Sequence, residues 1–363
     1  MSGYTLFGSD MSYFSGKARA YLRWKGVDYT EVAPTPDVMK NEIIANIGWP
    51  VIPVLKTPAG DYVQDTADII AHFEGPSGAN SAMPDSPLQR FVTYLLQLIA
   101  DEWLTLPAMH YRWNHNEEWI YGEFGKSAAP DAAPEVQYEA GKAVGSRFKG
   151  FVPMLGITPE TAPGIEKAYE HFLADLSAHL DKLPYLLGTR ASYADFALIG
   201  PLYAHQYRDQ STGEHMRRTA PKVAEYVERV IAGDGKTGDL MPLDDIPATL
   251  LPILKAALSE FLPVLTATNT LFSDWAMTAE PGAEVPRGVG LVDFTTGGAS
   301  GQIAARTFPL LRLQDALDTY QLMMPSDKRR ADAFLNAVEA SSLKTLRVEP
   351  RLTRTDYKLA LAS

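Results

Sequence analysis

Val51-Ile52-Pro53-Val54-Leu55-Lys56-Thr57-Pro58-Ala59-Gly60-Asp61-Tyr62-Val63-Gln64-Asp65-Thr66 is the stretch that decides how this chain folds. Val54-Leu55-Lys56 and Tyr62-Val63-Gln64 read as strands, and Pro58-Ala59-Gly60-Asp61 between them is a hairpin signal. Pro53 stands inside the first apolar run. A strand accepts proline only at an edge, at its start or beside a bulge, so the backbone does something special at Ile52-Pro53. After the hairpin, Ile69, Ile70 and Phe73 recur at helical spacing, and Asp65 or Thr66 caps the helix they define. The N–H groups at such a helix start suit a carboxylate, by the logic that lets helix N-termini hold phosphate.

Working outward toward the N-terminus, Tyr4-Thr5-Leu6-Phe7 is a short run of strand formers. Gly8 to Met11 breaks it before Ala18, Tyr21, Leu22 and Lys25 set up a helix. The loop therefore delivers Ser12, in Ser12-Tyr13-Phe14-Ser15, to a helix N-terminus. Orphan N–H groups and the helix dipole favour an anion there, and a thiolate is such an anion. A serine before a helix is also an ordinary N-cap, and it is the company of Pro53 and Asp65-Thr66 that favours a functional role.

The order strand, helix, strand, helix, hairpin, helix, with X-Pro ahead of the third strand, resembles the thioredoxin-like domain of the glutathione transferase superfamily. A second match is Tyr185-Leu186-Leu187-Gly188-Thr189-Arg190-Ala191-Ser192-Tyr193-Ala194-Asp195-Phe196. It is similar to the capping box that opens a central helix of the family's all-helical second domain, with Ser192 as cap and Asp195 three residues on. The resemblance implies an α/β thioredoxin-like domain over 1–78 and an all-α domain over 85–235. It also implies that Ile52-Pro53 is cis and that the Ile52 backbone pairs with the cysteinyl part of glutathione. Asp65 and Thr66 would hold the γ-glutamyl end, although most relatives carry Ser where this chain has Thr66. Ser12 falls on the activating position of the Ser and Cys classes. The expected activity is that of a glutathione-dependent transferase attacking a hydrophobic, aromatic electrophile, with glutathione as co-substrate, no metal, and a detoxification role. Tyr13, Phe14, His110, Tyr111 and Trp113 are expected to line the electrophile's slot, and a homodimer is the expected assembly. A non-catalytic glutathione-transferase-like binding or scaffold protein is the alternative.

Composition narrows the chemistry further. The chain has 363 residues, 46% of them hydrophobic, enough for two domains or more. Its net charge of -11 argues against nucleic acid, whose binding depends on Lys and Arg neutralising phosphates. Arg217-Arg218 and Lys328-Arg329-Arg330 read as solvated helix surface. Neither a run of 18 apolar residues nor a signal peptide is visible, so the expectation is a cytoplasmic protein without a membrane contact. The chain contains no cysteine. Dithiol reductase chemistry is thereby excluded, and Ser15 stands where a second redox cysteine would complete a C-x-x-C motif.

Gly75-Pro76-Ser77-Gly78 through Pro84-Asp85-Ser86-Pro87 reads as a linker, and helical periodicity runs from Leu88 to Ala108 and from Ile165 to Lys182. A second boundary lies near Gly233-Asp234-Gly235-Lys236-Thr237-Gly238. Beyond it, residues 240–363 are expected to form a mostly helical extension packed on the helical domain. The wide apolar face of Leu250, Ile253, Leu254, Leu258, Phe261 and Leu262 demands burial. Thr296-Gly297-Gly298-Ala299-Ser300-Gly301 lacks the lysine of a phosphate loop and reads as an ordinary loop. His110 and His115 with Glu117 and Glu118 lack metal-motif spacing and read as polar core or pocket. Arg19 reads either as a source of positive potential near Ser12 or as a solvent-facing residue.

Overall fold

The computed structural model describes residues 3–75, 81–242, 244–280 and 283–362. Residues 76–80 of the expected linker lie outside them. In chain order the first strands and helices are β1 (Tyr4–Phe7), α1 (Tyr13–Lys25), β2 (Tyr29–Val32), α2 (Pro36–Val38), α3 (Ala45–Ile47), β3 (Val54–Lys56), β4 (Tyr62–Gln64) and α4 (Thr66–Phe73). Helices follow: α5 (Pro87–Leu98), α6 (Thr105–His115), α7 (Glu117–Ala128), α8 (Pro134–Lys149), α9 (Ala162–Leu180), α10 (Tyr193–Pro201), α11 (Gln210–Thr219) and α12 (Pro221–Ala232). The remainder comprises α13 (Leu251–Ala276), β5 (Gly288–Thr296), β6 (Ala299–Arg306), α14 (Phe308–Gln321), α15 (Pro325–Ala337), β7 (Leu352–Thr355) and β8 (Lys358–Leu361). Among the described residues, the π-helical segments Met39–Ile44, Ile99–Trp103 and Leu202–Tyr207 interrupt or extend the helices.

Contacts group the chain into two compact units. The first contains Met1–Ala82, Ala108–Val152 and Asp195–Thr237. Its sheet has the order β2-β1-β3-β4, with β1 parallel to β2 and antiparallel to β3, and β3 antiparallel to β4. Helix α1 starts at the Ser12 cap and stops at Gly26, whose φ of 75° is the left-handed C-cap that glycine adopts without steric cost. The helix is buried on nearly all sides: Ala18, Tyr21 and Leu22 are sealed, and it packs on α4 and α12. Helices α7 and α8 approach so closely that a Cβ on Gly125 would lie 2.0 Å from the Gln137 carbonyl oxygen. Strand β3 begins at Val54, so Pro53 stands just before the ladder rather than within it.

The second unit contains Met83–Pro107, Pro153–Ala194 and Gly238–Ser363. Here α5 packs on α14 and α15, and the Phe91 ring lies 5.7 Å from Tyr320 and 6.4 Å from Phe334. Trp103 stacks on Phe261 of α13 at 5.0 Å. The segment Ala248–Ala276 is long and apolar enough, by length and composition, to cross a membrane. In this structure its apolar residues Ile253, Leu254, Leu258, Phe261 and Leu265 are buried, and the helix packs against β5, β6, α9 and the turn Ile99–Trp103. The expectation of a loop at Thr296 to Gly301 is corrected: β5 and β6 form a hairpin whose register runs to Thr296↔Ala299. Its turn is Gly297-Gly298, with φ of 55° and 91°. Gly-Gly is itself a hairpin signal, masked in the sequence by the glycines on either side. A second hairpin, β7–β8, turns at Asp356 and Tyr357, both at positive φ.

Candidate functional site

Three pieces of chain leave the sheet of the first unit at one level. Phe7 pairs with Val54, and Val54 pairs with Gln64. The loop after β1, the Ile52-Pro53 approach to β3 and the Asp65-Thr66 continuation of β4 therefore emerge from the same end of three adjacent strands. That register gathers residues that are far apart in sequence.

The first piece is a tightly bonded loop. Gly8 N–H donates to the Val32 carbonyl at 3.1 Å, Ser12 N–H to the Ser9 carbonyl at 3.0 Å, and Ser9 N–H to Ser15 Oγ at 3.2 Å. Ser15 is sealed from solvent and serves this loop. Ser12 is half-buried and caps α1, its Oγ accepting from Ser15 N–H at 3.2 Å. A cap uses a lone pair of the hydroxyl, which leaves its O–H as a donor for an anion.

Arg19 is 2% exposed and not solvent-facing. Its Nε donates to Glu31 Oε2 at 2.8 Å, its Nη2 pairs with the other Glu31 oxygen, and its Nη1 lies 3.1 Å from Asp10. Burial alone would lower its pKa, and the Glu31 and Asp10 carboxylates raise it further than burial lowers it. With two carboxylates on one guanidinium, Arg19 ties the loop to β2 rather than projecting free positive potential.

Ile52-Pro53 is cis, as the resemblance implied. Ile52 is half-buried and Pro53 buried. Asp65 is the cap of α4, its Oδ1 accepting from Ala67 N–H at 2.8 Å, while Thr66 is the first helical residue and 4% exposed. Asp65 holds φ 83° and ψ 137°, outside the basins that non-glycine residues prefer. Such a conformation costs about 1–3 kcal/mol and persists where its surroundings over-determine it, often at ligand clamps.

Of the aromatic candidates, Tyr13 and Phe14 follow Ser12 directly, with ring centroids 4.9 Å apart, and Tyr13 also meets His205 edge-on at 5.4 Å. His110 and Tyr111 form a cluster with His115, each ring pair 5.2 Å apart, and His110 Nδ1 lies 2.8 Å from Asn114 Nδ2. Trp113 is 2% exposed, 6.0 Å from Tyr121 and stacked on Phe124, so its ring fills the α7–α8 layer. Arg112 is buried and donates from Nη1 to the Met11 carbonyl at 2.7 Å. It is paired with Asp209. Asp209 and His205 had no sequence signal: each lies in a segment without a motif, and only tertiary packing brings it to the Ser12 loop.

The profile for the glutathione S-transferase N-terminal domain matches residues 6–81, and that for the C-terminal domain matches residues 157–234. No curated protein matches the chain. Among solved structures it is similar to a glutathione S-transferase of Xanthobacter autotrophicus Py2, at 18% identity over 66% of this chain and 97% of that one, with a TM-score of 0.38. It is similar to a beta-etherase of Sphingobium sp. strain SYK-6 at 18% identity, over 63% of this chain and 94% of that one, with a TM-score of 0.43. A third is a glutathione S-transferase of Methylobacterium radiotolerans JCM 2831 in complex with glutathione sulfonate, at 17% identity over 67% of this chain and 99% of that one, with a TM-score of 0.38. With the N-terminal profile lying on the four-stranded sheet and its helices, and the C-terminal profile on α9 to α12, the chain belongs to the glutathione S-transferase superfamily.

Proposed function

We propose that the chain is a glutathione-dependent transferase whose Ser12 hydroxyl activates the glutathione thiol for attack on a hydrophobic, aromatic electrophile. The observation that carries this reading is the register Phe7↔Val54↔Gln64, which brings Ser12, Ile52-Pro53 and Asp65-Thr66 to one end of the sheet. In this reading the γ-glutamyl carboxylate docks on the start of α4 at Asp65 and Thr66, and the cysteinyl backbone pairs with Ile52. The sulfur then lies within reach of the Ser12 O–H.

A donated hydrogen bond stabilises the thiolate over the thiol. Lowering the thiol pKa by one to two units requires about 1.4–2.7 kcal/mol, which populates the nucleophile near neutral pH. The rest of the acceleration comes from holding the electrophile against the sulfur. Tyr13, Phe14, His110 and Tyr111 are the proposed lining, with Trp113 supporting it from behind. Conjugation, thiolytic ether cleavage and cis-trans isomerisation all start from this thiolate, so the lyase and isomerase variants share the same machinery. A division into 1–78, 85–235 and 240–363, a homodimer, a cytoplasmic location and a detoxification role belong to the same proposal.

One observation favours the alternative of a non-catalytic binding or scaffold module: Ser12 already has a structural duty as the cap of α1. Titrating the thiolate absorbance of bound glutathione separates the two. Ser12→Ala is expected to raise the thiol pKa by about one to two units while the circular dichroism spectrum stays the same. An unaltered titration, with glutathione still bound, assigns Ser12 to capping alone.

A further inference from the structure

We propose that Arg112, held in place by Asp209, is a positioning residue for Ser12: by fixing the Met11 carbonyl it sets where the serine hydroxyl meets the bound sulfur. The inference rests on the Ser12 reading above and adds to it a buried device outside the sheet.

The pair is deeply buried, with the Arg112 side chain 4% exposed and the Asp209 side chain 0%. Arg112 Nε donates to Asp209 Oδ2 at 2.7 Å and Nη2 to Asp209 Oδ1 at 2.8 Å, a bidentate grip that locks the plane of the guanidinium. The same plane then reaches two backbone carbonyls. Nη2 donates to Ala204 at 2.8 Å, within the π-helical turn Leu202–Tyr207, and Nη1 donates to Met11 at 2.7 Å. A buried ion pair is a poor means of gaining stability, because desolvation consumes most of its attraction and apolar residues of like volume serve as well. An arginine fork is, however, a good means of holding carbonyls in fixed relative positions.

The neighbourhood shows that Asp209 is reserved for this task. It is the N-cap residue of α11, where aspartate ordinarily accepts from its own helix, yet its side chain makes no cap bond. Asn116 does that work instead: its Oδ1 accepts from Ser211 N–H at 2.8 Å, and its Nδ2 donates to the Tyr111 carbonyl at 3.0 Å and to Thr212 Oγ1 at 2.8 Å. Both Asp209 oxygens are thereby left to Arg112. On the other side of Ser12, the Tyr13 ring meets His205 at 5.4 Å, and a Cβ on Gly200 would lie 3.0 Å from Tyr13 Cε1. Ser12 is thus flanked by Met11, held through its carbonyl by Arg112 of α6, and by Tyr13, whose ring meets His205 of the π-helical turn.

The test uses the full-length protein and reduced glutathione. Arg112→Lys keeps the charge and the apolar stem but cannot form the fork. Its thiolate titration is expected to shift toward that of Ser12→Ala, by about one pKa unit or a tenfold loss of thiolate at neutral pH. In the Ser12→Ala background it is expected to add no further shift, and the amides of residues 9–12 are expected to exchange faster in Arg112→Lys. If Ser12→Ala raises the thiol pKa while Arg112→Lys only lowers the melting temperature, the pair is structural and this inference is overturned with the Ser12 reading intact. If Ser12→Ala leaves the thiol pKa unchanged, the Ser12 reading fails and this inference falls with it. Should Arg112→Lys not fold, the double variant Arg112→Met, Asp209→Leu removes the fork without stranding a charge, and an unchanged thiol pKa there overturns the inference equally.

Discussion

Asp65 and two histidines are single residues on which the proposed binding and the stability of this chain turn. Asp65 combines a cap bond to Ala67 with a backbone at φ 83°. Replacing Asp65 and Thr66 together by alanine removes the cap, worth about 1 kcal/mol, and the polar groups at the start of α4. Calorimetry is expected to show glutathione binding weakened at least tenfold and binding of a hydrophobic ligand nearly unchanged. Equal loss of both would mean general unfolding. His205 and His179 are 4% and 0% exposed. Burial, with Arg112 nearby, holds the His205 pKa well below the usual histidine value, and burial likewise lowers that of His179 against the raising effect of the Tyr185 carbonyl. Unfolded, both protonate near pH 6.5, as ordinary histidines do, so below about that pH the unfolded chain binds more protons than the folded one and stability falls. The melting temperature is therefore expected to drop as pH is lowered from 7 to 5, and His205→Gln to flatten that drop. A slope identical to that of the parent protein would contradict the assignment.

Between elements, close backbone approaches decide what the second unit tolerates. The turn of the β5–β6 hairpin lies on the first turns of α9, where a Cβ on Gly164 would stand 2.2 Å from the Thr296 carbonyl oxygen and 2.6 Å from Ala299 Cβ. Glu260 of α13 holds the same turn, accepting from Thr296 Oγ1 at 2.8 Å and from Gly297 N–H at 2.7 Å. Gly164→Ala is expected to cost about 1–3 kcal/mol by forcing the hairpin off α9. Chemical denaturation checks this, and a loss below about 0.5 kcal/mol would show that the hairpin yields freely. The hairpin was hard to read from sequence because its strands alternate around glycines, which weakens the period-two pattern. Helices α5, α9 and α13 were legible because each carries an apolar stripe wide enough to require a partner.

In the molecule as a whole, residues 238–363 share a unit with 83–107 and 153–194. Phe91 of α5 meets Tyr320 and Phe334, and Trp103 meets Phe261 and Phe294, so each large ring has partners beyond residue 238. Arg306 donates to the Glu102 carbonyl at 3.0 Å and pairs with its carboxylate at 2.9 Å. Truncation after Gly238 is therefore expected to bare apolar surface of α5 and of the Ile99–Trp103 turn and to cause aggregation visible by size-exclusion chromatography. A monodisperse truncated protein with the parent melting temperature would show that these contacts are dispensable.

The sequence alone determined the turns and caps at one end of the sheet, because those choices are local. A proline before a strand, a hairpin turn and a capped helix start each impose their geometry within a few residues, and the local placement of Ser12, Ile52-Pro53 and Asp65-Thr66 was legible for that reason. Tertiary structure alone decided which residues hold them. The Arg112–Asp209 pair joins positions 97 apart in sequence, and Trp113, expected from the resemblance to line the electrophile's slot, fills the α7–α8 layer. Neither outcome follows from spacing along a chain. Both depend on which helices pack together and on the need of every buried charge and ring to find a partner.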